Sequence, residues 1–309
     1  MKTVFMGTPD FAVPCLERLI ADGHTISGVF TQPDKPRGRG NKIQYPPVKE
    51  VALKHDIPVY QPKTLRDAEA LDTIAELDPE LIVVVAYGKI LPKEILDYPR
   101  LGCINMHASL LPSYRGAAPI QWCVINGERK TGVTSMLMDV GLDTGDMLIK
   151  RETPVGPDET TGELHDRLSV MSADVMSQTI DELVNGRAVR VKQDDSLATY
   201  APMITKELCP IDWTKKASEI HDLVRGLSPW PVATAVYKGV CIKIHSTAPA
   251  GECRGEPGEI TETGKRLLVC CGDRRALEIK TLQAPGKKAM SAPDFMRGHS
   301  IMTGESFDK

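Results

Sequence analysis

Aromatic side chains are scarce, at 5% of the chain, so any core must be largely aliphatic. Long apolar runs are missing as well. The longest purely aliphatic stretch is Leu81-Ile82-Val83-Val84-Val85-Ala86. It suits one buried strand and falls far short of the roughly 20 residues of a spanning helix. Residues 1–7 contain no apolar h-region and no cleavage site, so neither a secretory leader nor a membrane partner is expected. The eight cysteines, Cys15, Cys103, Cys123, Cys209, Cys241, Cys253, Cys270 and Cys271, include no Cys-x-x-Cys pair. No histidine stands at zinc-ligand spacing from two of them. The expectation is free thiols in a reducing cytoplasm and no metal. The glycine pattern of a dinucleotide site is absent too. A strand at 2–6 runs into Gly7-Thr8-Pro9-Asp10, which lacks the second and third glycines of G-x-G-x-x-G, and Pro9 removes a donor. NAD and FAD binding are thereby disfavoured. Gly7-Thr8-Pro9 is left to shape the mouth of a cleft.

What is present is the composition of a globular protein: 309 residues, 41% hydrophobic and 26% charged. That length suits two domains better than one core. The net charge of −3 is unevenly spread. Residues 1–205 carry 22 Lys and Arg against 28 Asp and Glu, and residues 206–309 carry 16 against 13. An acidic body with a basic tail points weakly to a polyanionic partner.

Strand patterns at 2–6, 25–31, 81–87, 102–107 and 132–139 alternate with helical patterns near 11–21, 68–77, 92–96 and 117–126, with Asp10 as a candidate N-cap of the first helix. This is the signature of an α/β fold with a doubly wound, mostly parallel, Rossmann-like sheet. A long amphipathic helix follows at 161–184, with Leu164, Leu168, Met171, Val175, Ile180 and Leu183 as its buried stripe. The polar stretch 192–213, with Pro202 and Pro210, reads as a linker. After it come a helix at 216–227 and five short strands at 233–237, 240–245, 258–261, 267–271 and 276–282, which suggest a small OB-like β-barrel. The expected division is a catalytic domain over 1–191, a linker over 192–213 and a second domain over 214–309.

The informative chemistry lies in Cys103-Ile104-Asn105-Met106-His107-Ala108-Ser109-Leu110-Leu111-Pro112. Asn105 and His107 are two apart on a strand, so they share a face. An amide donates to a developing oxyanion, and an imidazole donates or moves a proton near neutral pH. Taken alone, Asn-x-His is as compatible with a structural amide and a half-buried histidine. A second signal is Asp143, in a loop bracketed by Gly141 and Gly145 after the 132–139 strand. Were that strand to end beside the Asn105–His107 strand, the carboxylate would reach His107 and fix its tautomer. An Asx turn is the plainer alternative.

Together, Asn105-x-His107-x-Ser109-Leu110-Leu111-Pro112 and Gly141-Leu142-Asp143-x-Gly145 resemble the signature of the folate-dependent formyltransferases. The stretches 6–12, 31–36, 84–88 and 115–121 resemble the methionyl-tRNA formyltransferase branch of that family. The resemblance spans essentially the whole chain and is loosest after Arg254. It implies 10-formyltetrahydrofolate as formyl donor, initiator methionyl-tRNA as acceptor, and Asn105, His107 and Asp143 as catalytic residues. It also implies a folate site lined by Ser109, Leu110, Leu111 and Pro112, with Tyr87 and Gly88 beside it.

Lys35-Pro36-Arg37-Gly38-Arg39-Gly40-Asn41-Lys42 holds four cations and no acid. By composition it is a solvated mobile loop or one that grips a nucleic-acid end. The resemblance implies that it enters the acceptor stem, with Lys35, Arg37, Arg39 and Lys42 as contacts and Arg39 foremost. Lys243, Lys265, Arg266, Arg274, Arg275, Lys280, Lys287 and Lys288 would lay a phosphate track on the barrel. Two alternatives stay open. One is a formyltransferase acting on a small amine or sugar nucleotide, and the other a non-catalytic RNA-binding protein on the same scaffold. A monomer is expected.

Overall fold

The structure is a computed structural model that describes residues 1–37 and 42–308. In chain order its elements begin with β1 (Lys2–Gly7), α1 (Val13–Ala21), β2 (Thr25–Phe30), β3 (Lys35–Arg37), β4 (Lys42–Gln44), α2 (Pro47–Lys54), β5 (Val59–Tyr60), α3 (Ala68–Leu77), β6 (Leu81–Val85), α4 (Lys93–Leu96) and β7 (Cys103–His107). Next come β8 (Arg115–Gly116), α5 (Pro119–Ile125), β9 (Lys130–Leu137), β10 (Met147–Pro154), α6 (Thr161–Val184) and β11 (Tyr200–Ala201). The remainder is α7 (Ala217–Gly226), β12 (Ala233–Tyr237), β13 (Val240–Glu252), β14 (Ile260–Glu262), β15 (Leu267–Cys270), β16 (Arg275–Gln283), β17 (Met290–Ser291) and α8 (Ala292–Gly298).

Two compact units are interleaved along the chain. One comprises 1–116, 131–153 and 165–200, and the other 117–130, 154–164 and 201–309. The first unit holds a seven-stranded sheet in the order β10-β9-β7-β6-β1-β2-β5. Strands β1, β2, β5, β6 and β7 pair in parallel. All five residues of β6 are buried, as a central parallel strand requires. At the carboxyl edge the loops after β1, β2 and β6 are tied together. Thr8 Oγ1 and Gln32 Nε2 both donate to the Tyr87 carbonyl, at 3.1 and 3.0 Å. Gly7 is needed there, because a Cβ would lie 2.8 Å from Phe5 Cε1 and 2.9 Å from Ala12 Cβ.

Three details depart from the sequence reading. Asp10 does not cap α1: it opens a short 3₁₀ turn ahead of the helix and its carboxylate accepts from the Phe11 amide. β9 runs antiparallel to β7, with Asn105 opposite Met136 and His107 opposite Thr134. Apolar periodicity reports a strand but not its direction. On α6, Leu164, Leu168, Val175 and Ile180 are buried, whereas Met171 and Leu183 are only partly so. Its buried face also carries Ser169, Ser172 and Thr179, each hydroxyl bonded.

The second unit has a large apolar core to which α5 and α7 contribute with the strands, and a smaller cluster around Cys253, Cys270 and Ala276. Its barrel-like antiparallel sheet runs β12-β13-β16-β15-β14, with β17 added to β16. Register shifts after Ile244, Ser246 and Pro249 bend the 13-residue β13. Segments 117–130 and 154–164, read from sequence with the first domain, belong to this unit. Cys253 and Cys270 form a disulfide with Cα atoms 5.8 Å apart, which corrects the expectation of eight free thiols. The register explains it: Glu252 pairs with Arg275 and Cys270 with Ala276, so both sulfurs reach one level of β16. Cys15, Cys103, Cys209, Cys241 and Cys271 are free thiols.

Candidate active site

β7 carries Asn105 and His107 to the carboxyl edge of the sheet. Alternation directs both to one face, with Ile104 and Met106 buried on the other. His107 is 6% exposed. Asn105 is half-buried, and among the described residues its amide has no protein hydrogen bond. It is therefore free to donate to a bound group.

Asp143 reaches His107 by a fold-back of the loop. β9 ends opposite Ile104, at the far end of β7. The loop then turns back over the strand, tied by the Met138 amide to the Cys103 carbonyl and by the Leu137 amide to the Asp146 carbonyl. Gly145 permits the turn, since a Cβ would lie 1.7 Å from the Leu137 carbonyl oxygen. Asp143 itself sits at φ +55°, a conformation that a non-glycine residue keeps only when its surroundings hold it. Its Oδ2 lies 3.7 Å from His107 Nδ1 and accepts from the Gly116 amide at 2.8 Å.

The other imidazole nitrogen fixes the tautomer. His107 Nε2 lies 2.9 Å from the Tyr114 carbonyl. A carbonyl only accepts, so Nε2 carries the proton. Nδ1 is then the nitrogen that exchanges a proton or donates when the ring is a cation. The 3.7 Å gap to Asp143 exceeds a hydrogen bond, so Nδ1 is not committed to the carboxylate.

The loop after β7 is fastened from below. Ser109 Oγ donates to the Ser113 carbonyl at 2.6 Å, and Thr134 Oγ1 donates to the Ser109 carbonyl and accepts from the Leu111 amide. Leu111 is fully buried with Met136 and Met147, and Lys150 Nζ donates to its carbonyl. Leu110 and Pro112 keep part of their surface open. Across the sheet edge Gly88 is exposed at φ +82°, whereas Tyr87 is buried. The Tyr87 hydroxyl has no hydrogen-bond partner among the described residues, and burial pushes it up to about 12. Of the residues expected to line a folate site, Gly88, Leu110 and Pro112 offer surface, while Tyr87, Ser109 and Leu111 face inward.

Residues 1–180 match the family described as Formyl transferase, and residues 203–300 match Formyl transferase, C-terminal domain. The chain belongs to the formyl transferase family. The methionyl-tRNA formyltransferase of Alkaliphilus oremlandii is 53% identical to it over 98% of both chains. That of Geotalea uraniireducens is 51% identical over the whole of this chain and 98% of its own. An N-formyltransferase from Helicobacter canadensis, solved with folinic acid and dTDP-3-aminofucose, superposes with TM-score 0.68 over 92% of this chain and 99% of its own. HypX from Aquifex aeolicus, solved with tetrahydrofolic acid, superposes with TM-score 0.63 over 96% of this chain and 47% of its own. At 18% and 16% identity these two structures establish shared fold.

Elsewhere in this formyl transferase, the flanks of the basic segment pair as an antiparallel hairpin, Lys35 with Gln44 and Arg37 with Lys42. Lys35 is exposed. Arg39 lies outside the described residues. Lys243, Lys265, Arg266, Arg274, Arg275, Lys280, Lys287 and Lys288 are all exposed, with Arg266 paired to Glu278 at 3.2 Å. Among the described residues no group of three or more His, Cys, Asp or Glu side chains is placed to hold a metal, and no helix is long and apolar enough to cross a membrane. The sequence reading missed Tyr114 and Gly116 because they act through backbone atoms, which residue type does not disclose.

Proposed function

We propose that the chain transfers the formyl group of 10-formyltetrahydrofolate to the free α-amine of methionyl-initiator tRNA, acting as a monomer in the cytoplasm for translation initiation. The observation that carries this is the constellation at the end of β7: an Asn105 amide unpartnered among the described residues, and His107 with a fixed tautomer 3.7 Å from Asp143. Identity of about half over the full length of methionyl-tRNA formyltransferases favours this acceptor over a sugar nucleotide.

The neutral amine attacks the N10-formyl carbon. A C–N bond forms and the formyl oxygen becomes an oxyanion. Asn105 Nδ2 donates to that oxygen, and His107 donates from Nδ1 as the cation, with Asp143 as its counter-charge. Asp143 accepts the amine proton. Collapse expels N10 of the folate, which takes up one proton, leaving formyl-methionyl-tRNA and tetrahydrofolate. A preorganised donor lost from such a site typically costs about 3–4 kcal/mol of transition-state stabilisation. Gly88, Leu110 and Pro112 meet the folate, while Tyr87, Ser109 and Leu111 hold the loops beneath it. Lys35, Arg37, Arg39 and Lys42 grip the acceptor stem, and the exposed lysines and arginines of the second unit track phosphates.

The test is a formylation assay with 10-formyltetrahydrofolate and three acceptors: charged initiator tRNA, charged elongator tRNA and free methionine. Strong preference for the first is expected. Equal use of free methionine would overturn the acceptor assignment.

A further inference from the structure

Residues 114–116 reach both members of the His107–Asp143 pair through their backbone, as described above. Between them, Arg115 turns its side chain inward to 2% exposure. There its Nε and Nη2 donate to Gln193 Oε1 at 3.1 and 2.9 Å, and Nη2 also donates to Asp195 Oδ1 at 2.7 Å. The far side of the same Gln193 amide faces the catalytic loop. Its Nε2 donates to the carbonyls of Asp143 at 2.7 Å and Gly145 at 2.8 Å. The bonds close a ring: Arg115 to Gln193, Gln193 to the Asp143 carbonyl, and the Asp143 carboxylate back to the Gly116 amide, with His107 tied to the same segment at Tyr114.

The chemistry of that ring leaves one orientation for the amide. A guanidinium only donates and backbone carbonyls only accept, so Oε1 must face Arg115 and Nε2 must face the loop. Both amide hydrogens and the oxygen are used. The two carbonyls so held are that of Asp143, which adopts φ +55°, and that of Gly145, which ends the turn. A left-handed aspartate needs such external fixing. The segment bearing Gln193 is itself pinned, since Thr199 accepts from the Arg115 amide through its carbonyl and from the Tyr114 amide through Oγ1, both at 2.8 Å.

We infer that Gln193, oriented by Arg115, is a positioning residue for formyl transfer, fixing Asp143 relative to His107. This rests on the reading that His107 and Asp143 are the reacting pair. Gln193 acts through the backbone carbonyls of Asp143 itself and of Gly145, two residues on. Its role was hidden in a stretch whose composition reads as a linker.

The experiment compares Gln193→Met, Gln193→Glu and Asp143→Asn in the full-length protein. It measures kcat, KM for each substrate, Tm, and the ring 15N shifts of His107. Gln193→Met removes every bond of the amide at similar volume. Gln193→Glu keeps an acceptor for Arg115 but turns an oxygen toward two carbonyls. Both are expected to lose roughly 10- to 100-fold in kcat, the scale of a misplaced catalytic group. Both KM values should stay within about twofold, and the His107 Nδ1 resonance should move. A purely structural role, satisfying buried Arg115, predicts instead that Glu rescues. Wild-type kcat in Gln193→Glu therefore overturns the inference, and so does an unmoved His107 spectrum. Should Gln193→Met fail to fold, Gln193→Glu, which keeps Arg115 paired, carries the test. Full activity in Asp143→Asn would sink the reading of the site itself. A slow Asp143→Asn beside fully active Gln193 variants would sink this inference alone.

Discussion

The Gly116 amide donates to Asp143 Oδ2 at 2.8 Å across 27 residues of sequence. This bond aims one carboxylate oxygen at the mouth of the loop, beside His107 Nδ1, and leaves the 3.7 Å gap between nitrogen and oxygen open. The site is thus assembled from one strand and two returning loops. Its geometry depends on turns as much as on the residues proposed to do chemistry, and that dependence makes it testable away from Asn105, His107 and Asp143.

Gly145 is the first such position. A methyl group there would lie 1.7 Å from the Leu137 carbonyl oxygen, a backbone atom that cannot rotate away. Gly145→Ala is expected to destabilise the protein by about 1–3 kcal/mol, the usual cost of overpacking, and to depress kcat further by displacing Asp143. Denaturant unfolding and steady-state kinetics on the same preparation check both. Wild-type values for both would show that the loop has slack.

The basic segment 35–42 is expected to serve the acceptor alone. Arg39→Ala should weaken use of charged tRNA and leave the KM of the formyl donor unchanged. If Arg39 meets a phosphate, the slope of log affinity against log salt should fall by about one. Filter binding across a salt series measures it. Parallel loss of donor and acceptor would remove Arg39 from tRNA recognition.

Acid stability of the second unit is expected to depend on Glu305. Hydrogen bonds from Lys238, Tyr237 and the Met302 amide hold its carboxyl down to about 2, against an ordinary 4.5. A lowered carboxyl contributes stability that is fully present above the unfolded value and is lost as pH falls through the folded one. The window is therefore pH 4.5 down to about 2. Glu305→Gln should flatten the fall of Tm in that window and lower Tm at neutral pH. Identical pH profiles for the two proteins would contradict this.

Much of the fold was legible in sequence because its signals are local. The aliphatic run at 81–86 is the centre of the sheet, and Asn105 and His107 share a face by alternation alone. What stayed hidden is non-local. Strand direction is not encoded in apolar periodicity, so the reversal of β9, and with it the fold-back that delivers Asp143, could not be read. The Cys253–Cys270 bond follows from strand register across 17 residues, not from a spacing motif. Gln193 looked like linker because its partners are backbone carbonyls and one buried arginine, neither of which leaves a pattern in composition. Segments 117–130 and 154–164 belong to the second unit, an interleaving of the chain that local sequence patterns do not report.

The most direct test is single-turnover formylation of charged initiator tRNA by Asn105→Ala, with enzyme and 10-formyltetrahydrofolate saturating. With the Asn105 amide proposed as a donor to the oxyanion, the transfer step should slow by roughly 10²- to 10³-fold while both substrates still bind. A transfer rate equal to that of the unaltered enzyme would contradict it.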